Sequence, residues 1–166
     1  MKNIVKNFGQ VHAIKNGQFS LRKGEIHSLV GENGAGKSTM MNILYGIYQR
    51  DSGSIAIKGK QMEKIVPKTA IENGIGMVHQ DFMLINDLSV LENIILGWEP
   101  RKHLEIDFAK AEKDIRYYID NYNMEIQPEK RINQISVGEA QRVEIIKTLY
   151  RGADILILDE PTAILT

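Results

Sequence analysis

Residues 31–39 read Gly-Glu-Asn-Gly-Ala-Gly-Lys-Ser-Thr, a complete G-x-x-x-x-G-K-[ST] spacing, and each part of it suits the capture of phosphate. Gly31, Gly34 and Gly36 let the backbone curl tightly and approach an anion with no Cβ in the way. The loop amides, those of Asn33 and Ala35 among them, then turn inward as a concave anion nest. A helix opening directly after the loop adds its unpaired first amides and the positive end of its dipole. In that arrangement Lys37 reaches the β- and γ-phosphates, while the Ser38 hydroxyl, followed by Thr39, supplies an oxygen to Mg²⁺.

Two further clusters could share that chemistry. Residues 155–160 read Ile-Leu-Ile-Leu-Asp-Glu, a short apolar run that ends in two carboxylates. Asp159 at the strand's carboxyl end can hold Mg²⁺ through water, and Glu160 beside it can polarise an attacking water. Taken alone, two solvated end charges would look the same; the phosphate loop gives the pair its meaning. Ser136-Val137-Gly138-Glu139 places Ser and Gly at a helix start, where free amides suit a second phosphate. An ordinary capping box has the same spacing.

Elements must hold these groups in place. Residues 26–30, Ile-His-Ser-Leu-Val, read as a short buried strand feeding the loop, and Met40, Met41, Ile43, Leu44 and Ile47 as a mostly apolar helix after it. The part up to about Lys60 is rich in strands and turns, with residues 54–58 alternating as a strand and Gly59-Lys60 turning it. Pro67 suits the first turn of a short helix that Gly74 ends. Ile75 to Val78 forms another apolar strand. Character then turns helical from Asp81 to about Gln134. Ser89 and Glu92 make a capping box, Gly97 is a stop, and Asp107 is an N-cap for a longer helix. Phe108, Ala111, Ile115, Tyr118, Ile119 and Tyr122 form its apolar stripe, a core-packing face. A helix through Val143, Ile146 and Leu149 ends at Gly152, and residues 155–158 make a strand buried on both faces. Strands alternating with helices indicate an α/β protein with a mainly parallel sheet.

Composition narrows the class. With 43% hydrophobic and 25% charged residues in 166, the chain has the balance of one soluble globular domain. Lys+Arg and Asp+Glu number 21 each, so no global charge favours nucleic acid or an anionic surface. The absence of cysteine excludes disulfides and Cys-ligated zinc. No run approaches the ~20 apolar residues of a membrane span. Met1-Lys2-Asn3-Ile4 does not open a signal-peptide apolar core.

The order of residues 31–39, Gln80, Ser136-Val137-Gly138-Glu139 and residues 155–160 resembles the nucleotide-binding subunits of ABC transporters over nearly the whole chain. In that family these are the Walker A, Q-loop, signature and Walker B motifs. The resemblance implies an α/β P-loop NTPase core with an N-terminal antiparallel β part and an inserted α-helical subdomain. It also implies a single domain over 1–166, with β part and P-loop core over 1–80, helical subdomain over 81–134, and signature helix and Walker B strand over 135–166. Asn42-Ile43-Leu44-Tyr45-Gly46, Gly76-Met77-Val78-His79-Gln80 and Arg151-Gly152-Ala153-Asp154 are most similar to the nucleoside-type importers, and residues 160–166 to the first of their two cassettes. Val137 and Glu139 depart from the common Leu-Ser-Gly-Gly-Gln signature, and Thr166 stands where many cassettes have an Asp.

By this resemblance ATP and Mg²⁺ are the cofactors. Phe8 stacks on adenine, or simply packs; Gln80 contacts Mg²⁺ or the attacking water; Ser136, Gly138 and Glu139 meet the ATP held by another cassette, head to tail. Further partners are transmembrane permease subunits, near the stretch from Gln80 through Phe82-Met83-Leu84, and indirectly an extracytoplasmic solute-binding protein. The location is the cytoplasmic face of the membrane. A soluble ABC-type ATPase acting on nucleic acid or ribosomes, and a fragment that binds nucleotide without hydrolysis, are the alternatives. His79 and Trp98 read as packing residues. A strand before Asn3 and a switch histidine beyond Glu160 are expected in the family, so the chain reads as part of a cassette.

Overall fold

The computed structural model describes residues 1–159. The chain divides into two compact units, Met1–Asn73 and the chain from Gly74 onward. In the first, β1 (Lys2–Phe8), β2 (Val11–Gly17), β3 (Ser52–Ile57) and β4 (Lys60–Met62) form an antiparallel sheet in the order β2-β1-β3-β4. A tight turn at Gly9 and Gln10 sets the first hairpin, pairing Phe8 with Val11 and Asn7 with His12. Ile4, Ile14, Ile55, Ile57 and Met62 are buried from these strands. Each fully buried side chain of that size contributes roughly 1.5–3 kcal/mol by leaving water. Asp51 ties β3 to β1, accepting from the Asn7 amide at 2.7 Å and from Lys6 Nζ at 3.1 Å. Those bonds, the Asn7 amide first, hold its carboxyl below the usual range. Helix α1 (Lys37–Tyr45) buries Ile43 and Leu44, and α2 (Pro67–Glu72) starts on its proline and ends at Asn73, just before Gly74.

The second unit holds a parallel pair, β5 (Ile75–Val78) and β8 (Ile155–Leu158), in register from Ile75 with Ile155 to Val78 with Leu158. Between them come α3 (Val90–Ile95), a small hairpin of β6 (Arg101–Lys102) and β7 (Glu105–Ile106), α4 (Phe108–Asn121) and α5 (Val137–Tyr150). The three helices share one core of Val90, Ile94, Ala111, Ile115, Val143 and Ile146. Their starts follow the capping chemistry. Ser89 and Glu92 form a reciprocal box on α3, Asp107 accepts from the Lys110 amide on α4, and Ser136 and Glu139 form a second box on α5.

Three expectations are corrected. Residues 26–30 form no strand; Ile26 and Val30 are 97% and 92% exposed. A strand exists through its hydrogen-bond ladder, and none of the four strands in this unit's sheet takes that run as a neighbour. Strand β8 is not buried on both faces: Ile157 is, while Leu156 and Leu158 are exposed. Among the described residues β8 has β5 alone beside it in its sheet, so its cover there is incomplete. The α4 stripe is core over most of its length, with Ala111 and Ile115 buried and Tyr118 and Ile119 packed against them, whereas Phe108 and Tyr122 are exposed.

Candidate functional site

The loop before α1 has the conformation its glycines promise. Gly34 and Gly36 lie at φ 84° and 83°, left-handed backbone that a side chain resists. A Cβ on Gly34 would meet nothing within 4 Å, so that part of the loop faces open space. One on Gly36 would lie 2.8 Å from the Ala13 carbonyl oxygen, so only glycine lets the loop close on β2. Ala35 N–H donates back to the Glu32 carbonyl at 3.2 Å, completing the curl. Lys37 then folds over it: its ammonium donates to the carbonyls of Gly31 at 2.7 Å and Glu32 at 2.9 Å. Gly36 caps α1, so Lys37, Ser38 and Thr39 occupy its first turn, where helix amides lack helical partners. Open glycine backbone, a lysine ammonium, two hydroxyls and a helix start together fit a phosphate chain. Phe8 is exposed and meets Tyr48 edge-on at 5.1 Å, with Lys6 Nζ 5.1 Å from its ring centroid.

In the second unit the parallel pairing of β5 and β8 brings two predicted residues to one end. Asp159 follows β8 directly, its amide donating to the Val78 carbonyl at 3.1 Å. Gln80, exposed, stands two residues past the same Val78. Carboxyl ends of parallel strands are where α/β sheets place their ligand-handling groups. The oxygen donors of Ser38, Gln80 and Asp159 are of the hard type that Mg²⁺ takes. Glu160 lies outside the described residues.

At the start of α5 the Ser136 amide donates to Glu139 Oε2 at 2.7 Å and the Ser136 hydroxyl donates to the same oxygen at 2.8 Å. The Glu139 amide in turn donates to Ser136 Oγ at 3.3 Å. These bonds, the Ser136 amide first, hold the Glu139 carboxyl below its usual range. Gly138 sits in the first turn, where a Cβ would meet only Arg142 Nη1, at 4.0 Å.

Four polar residues that sequence reasoning passed over are almost wholly buried here: Asn93, Glu144, Lys147 and Thr148. Burial pushes the Lys147 ammonium pKa down, and the neighbouring Glu144 charge pulls the other way. Their sequence signal was polar residues set among the apolar positions of α3 and α5.

A glycine-rich phosphate loop opening a helix, joined in one chain to a parallel pair ending in Gln80 and Asp159, defines a P-loop cassette of the α/β class. The family model described as ABC transporter matches residues 14–163, and the chain belongs to that family. It is 52% identical over its full 166 residues to the guanosine import ATP-binding protein NupO of Bacillus subtilis, of which it covers 32%. Against the nucleoside import ATP-binding protein NupA of Lactococcus lactis the identity is 51% over the full chain, covering 33%. The chain thus spans about a third of the length of these curated relatives. A bacterial ABC transporter cassette solved as a dimer superposes with a TM-score of 0.82 at 28% identity, covering 99% of this chain and 75% of that one. The same fold recurs in a cassette dimer in a post-hydrolysis state bound to ADP and phosphate, with TM-score 0.80, 28% identity and the same two coverages. Among the described residues no helix is long and apolar enough to cross a membrane.

Proposed function

We propose that the protein binds MgATP on residues 31–39 and, as part of a longer polypeptide, hydrolyses it to power import of nucleosides or simple sugars at the cytoplasmic face of a membrane. The observation that carries this reading is the closed glycine loop with Lys37 folded over it at the head of α1. Full-length identity of 52% to a guanosine import ATP-binding protein supports the transport role. Loop amides and Lys37 bind and orient the phosphates. Ser38, Gln80 and Asp159 would hold the magnesium ion, which supplies charge neutralisation at the phosphate oxygens. Glu160 polarises the attacking water, and Gln80 contacts that water or the metal. Phe8 offers its exposed ring to the adenine.

Partners follow from the same reading. A second cassette faces this one head to tail, so that the α5 start at Ser136, Gly138 and Glu139 meets the nucleotide held by the other. Dimeric cassettes of this fold support that arrangement. Permease subunits carry the solute path, and a solute-binding protein delivers to them. Residues 81–134 act as the helical subdomain. The test is Glu160→Gln in the full-length protein: ATP binding persists and turnover stops. Unchanged turnover would remove Glu160 from the reaction.

A further inference from the structure

Just past Gln80 the backbone is held in an unusual way. Met83 N–H donates to Glu144 Oε1 at 3.0 Å, and Lys147 Nζ donates to the Met83 carbonyl at 3.0 Å. The two charges sit about a turn apart on α5, 3.5 Å from one another, both more than nine-tenths buried. Two residues further on the pattern repeats with a neutral side chain. Ile85 N–H donates to Asn93 Oδ1 at 2.7 Å, while Asn93 Nδ2 donates to the carbonyls of Ile85 at 3.0 Å and Ser89 at 2.9 Å. Both backbone groups of Met83 and of Ile85 are thus fixed from inside the unit. Their side chains face outward, 68% and 46% exposed, and Leu84 between them packs against the core.

Stability alone does not explain the charged half of this clamp. Burying two charges costs several kcal/mol per ion, and apolar side chains of similar volume commonly serve a core as well or better. What an ion pair adds here is one peptide held in one place relative to one helix. That helix matters. Glu144 lies seven residues from Val137, about 10 Å along α5 from the start that carries Ser136 and Gly138. Met83 is three residues from Gln80.

We propose that Glu144 and Lys147 are positioning residues that lock the segment following Gln80 to α5, and by fixing the Met83 peptide hold Gln80 where ATP turnover needs it. The proposal rests on the ATPase reading given above. Neither residue touches nucleotide; both act through the Met83 peptide.

The test uses the full-length protein assembled with its membrane subunits in lipid vesicles, with solute-stimulated ATP turnover as the readout. Lys147→Met keeps the length and apolar stem but removes the donor, and Lys147→Arg restores a donor. Expected for Lys147→Met is a fall in kcat of about tenfold with KM for ATP within about twofold, and for Lys147→Arg recovery to within about threefold of the parent. Turnover at the parent rate in Lys147→Met overturns the assignment, as does an Arg variant as slow as the Met one. Glu144→Leu carries the same test if Lys147→Met does not fold: it removes the acceptor for Met83 N–H, and a parent-like kcat refutes the proposal. A parent assembly that turns over no ATP defeats the ATPase reading and this proposal with it. Normal parent turnover alongside an unaffected Lys147→Met defeats only the positioning role.

Discussion

Gly76, in the middle of β5, packs so closely on α5 that a single added carbon should be felt. An ideal Cβ there would lie 2.0 Å from Thr148 Cγ2 and 2.8 Å from Ala153 Cβ. Carbon atoms prefer about 3.5–4.0 Å, so Gly76→Ala forces β5 and the end of α5 apart or drives Thr148 from its rotamer. Thr148 is not free to turn, because its hydroxyl donates to the Glu144 carbonyl at 2.7 Å. Overpacking of this kind costs about 1–3 kcal/mol, and two clashes put the site near the upper end. Alanine's smaller unfolded-state entropy returns about 0.5–1 kcal/mol. The net expectation is a loss of about 2 kcal/mol, read as a lower urea midpoint with an unchanged slope. Thr148→Ser provides the control, since it deletes Cγ2, keeps the hydroxyl and leaves Thr148 Cβ at 3.4 Å from the new carbon. The double variant should then lose about 1 kcal/mol less than the sum of the two single losses. A Gly76→Ala protein that unfolds with the parent, or a double variant whose loss is simply additive, would refute the packing argument.

Two other outcomes follow from side chains already described. Asn93→Ala strands the Ile85 N–H, while the Ile85 and Ser89 carbonyls keep the Leu88 and Asn93 amides, for a loss of about 1–3 kcal/mol in urea unfolding, and a change under about 0.5 kcal/mol would contradict its role as a clamp. Acid should weaken the fold through Asp51, Glu92, Glu99 and Glu139, each held below its usual carboxyl range by backbone hydrogen bonds first. Because their folded pKa values are depressed, that stabilisation is complete above the unfolded values of about 4 and fades as pH falls through the folded ones. The urea midpoint should therefore hold from about pH 6 to about pH 4.5 and drop below about pH 4, and a midpoint constant down to about pH 2.5 would argue against the sign.

How much of this was legible in the sequence depended on whether a residue's partner was near in the chain. Both capping boxes were readable because Ser89 with Glu92, and Ser136 with Glu139, satisfy one another within a single turn. Strands β5 and β8 declared themselves as continuous apolar runs of four residues. The phosphate loop was readable because its glycines answer a local backbone demand, met at Gly34 and Gly36. Residues 26–30 have three apolar positions in five but no ladder partner in their unit, and pattern without a partner makes no strand. The β6–β7 hairpin was invisible because two residues per strand are too few to show alternation. Glu144, Lys147 and Asn93 went unread for a different reason. Their partners at Met83 and Ile85 are backbone groups, which carry no residue type; the usable signal was only that two charges share a helix face with Val143 and Ile146.

The central claim is that residues 31–39 form a phosphate site with Lys37 as its cation. Titration calorimetry of MgATP into the protein and into Lys37→Ala tests it most directly. Saturable binding by the parent and a loss of at least about tenfold in affinity for Lys37→Ala is the predicted result. Equal affinity in the two proteins, or no binding to the parent, would contradict it.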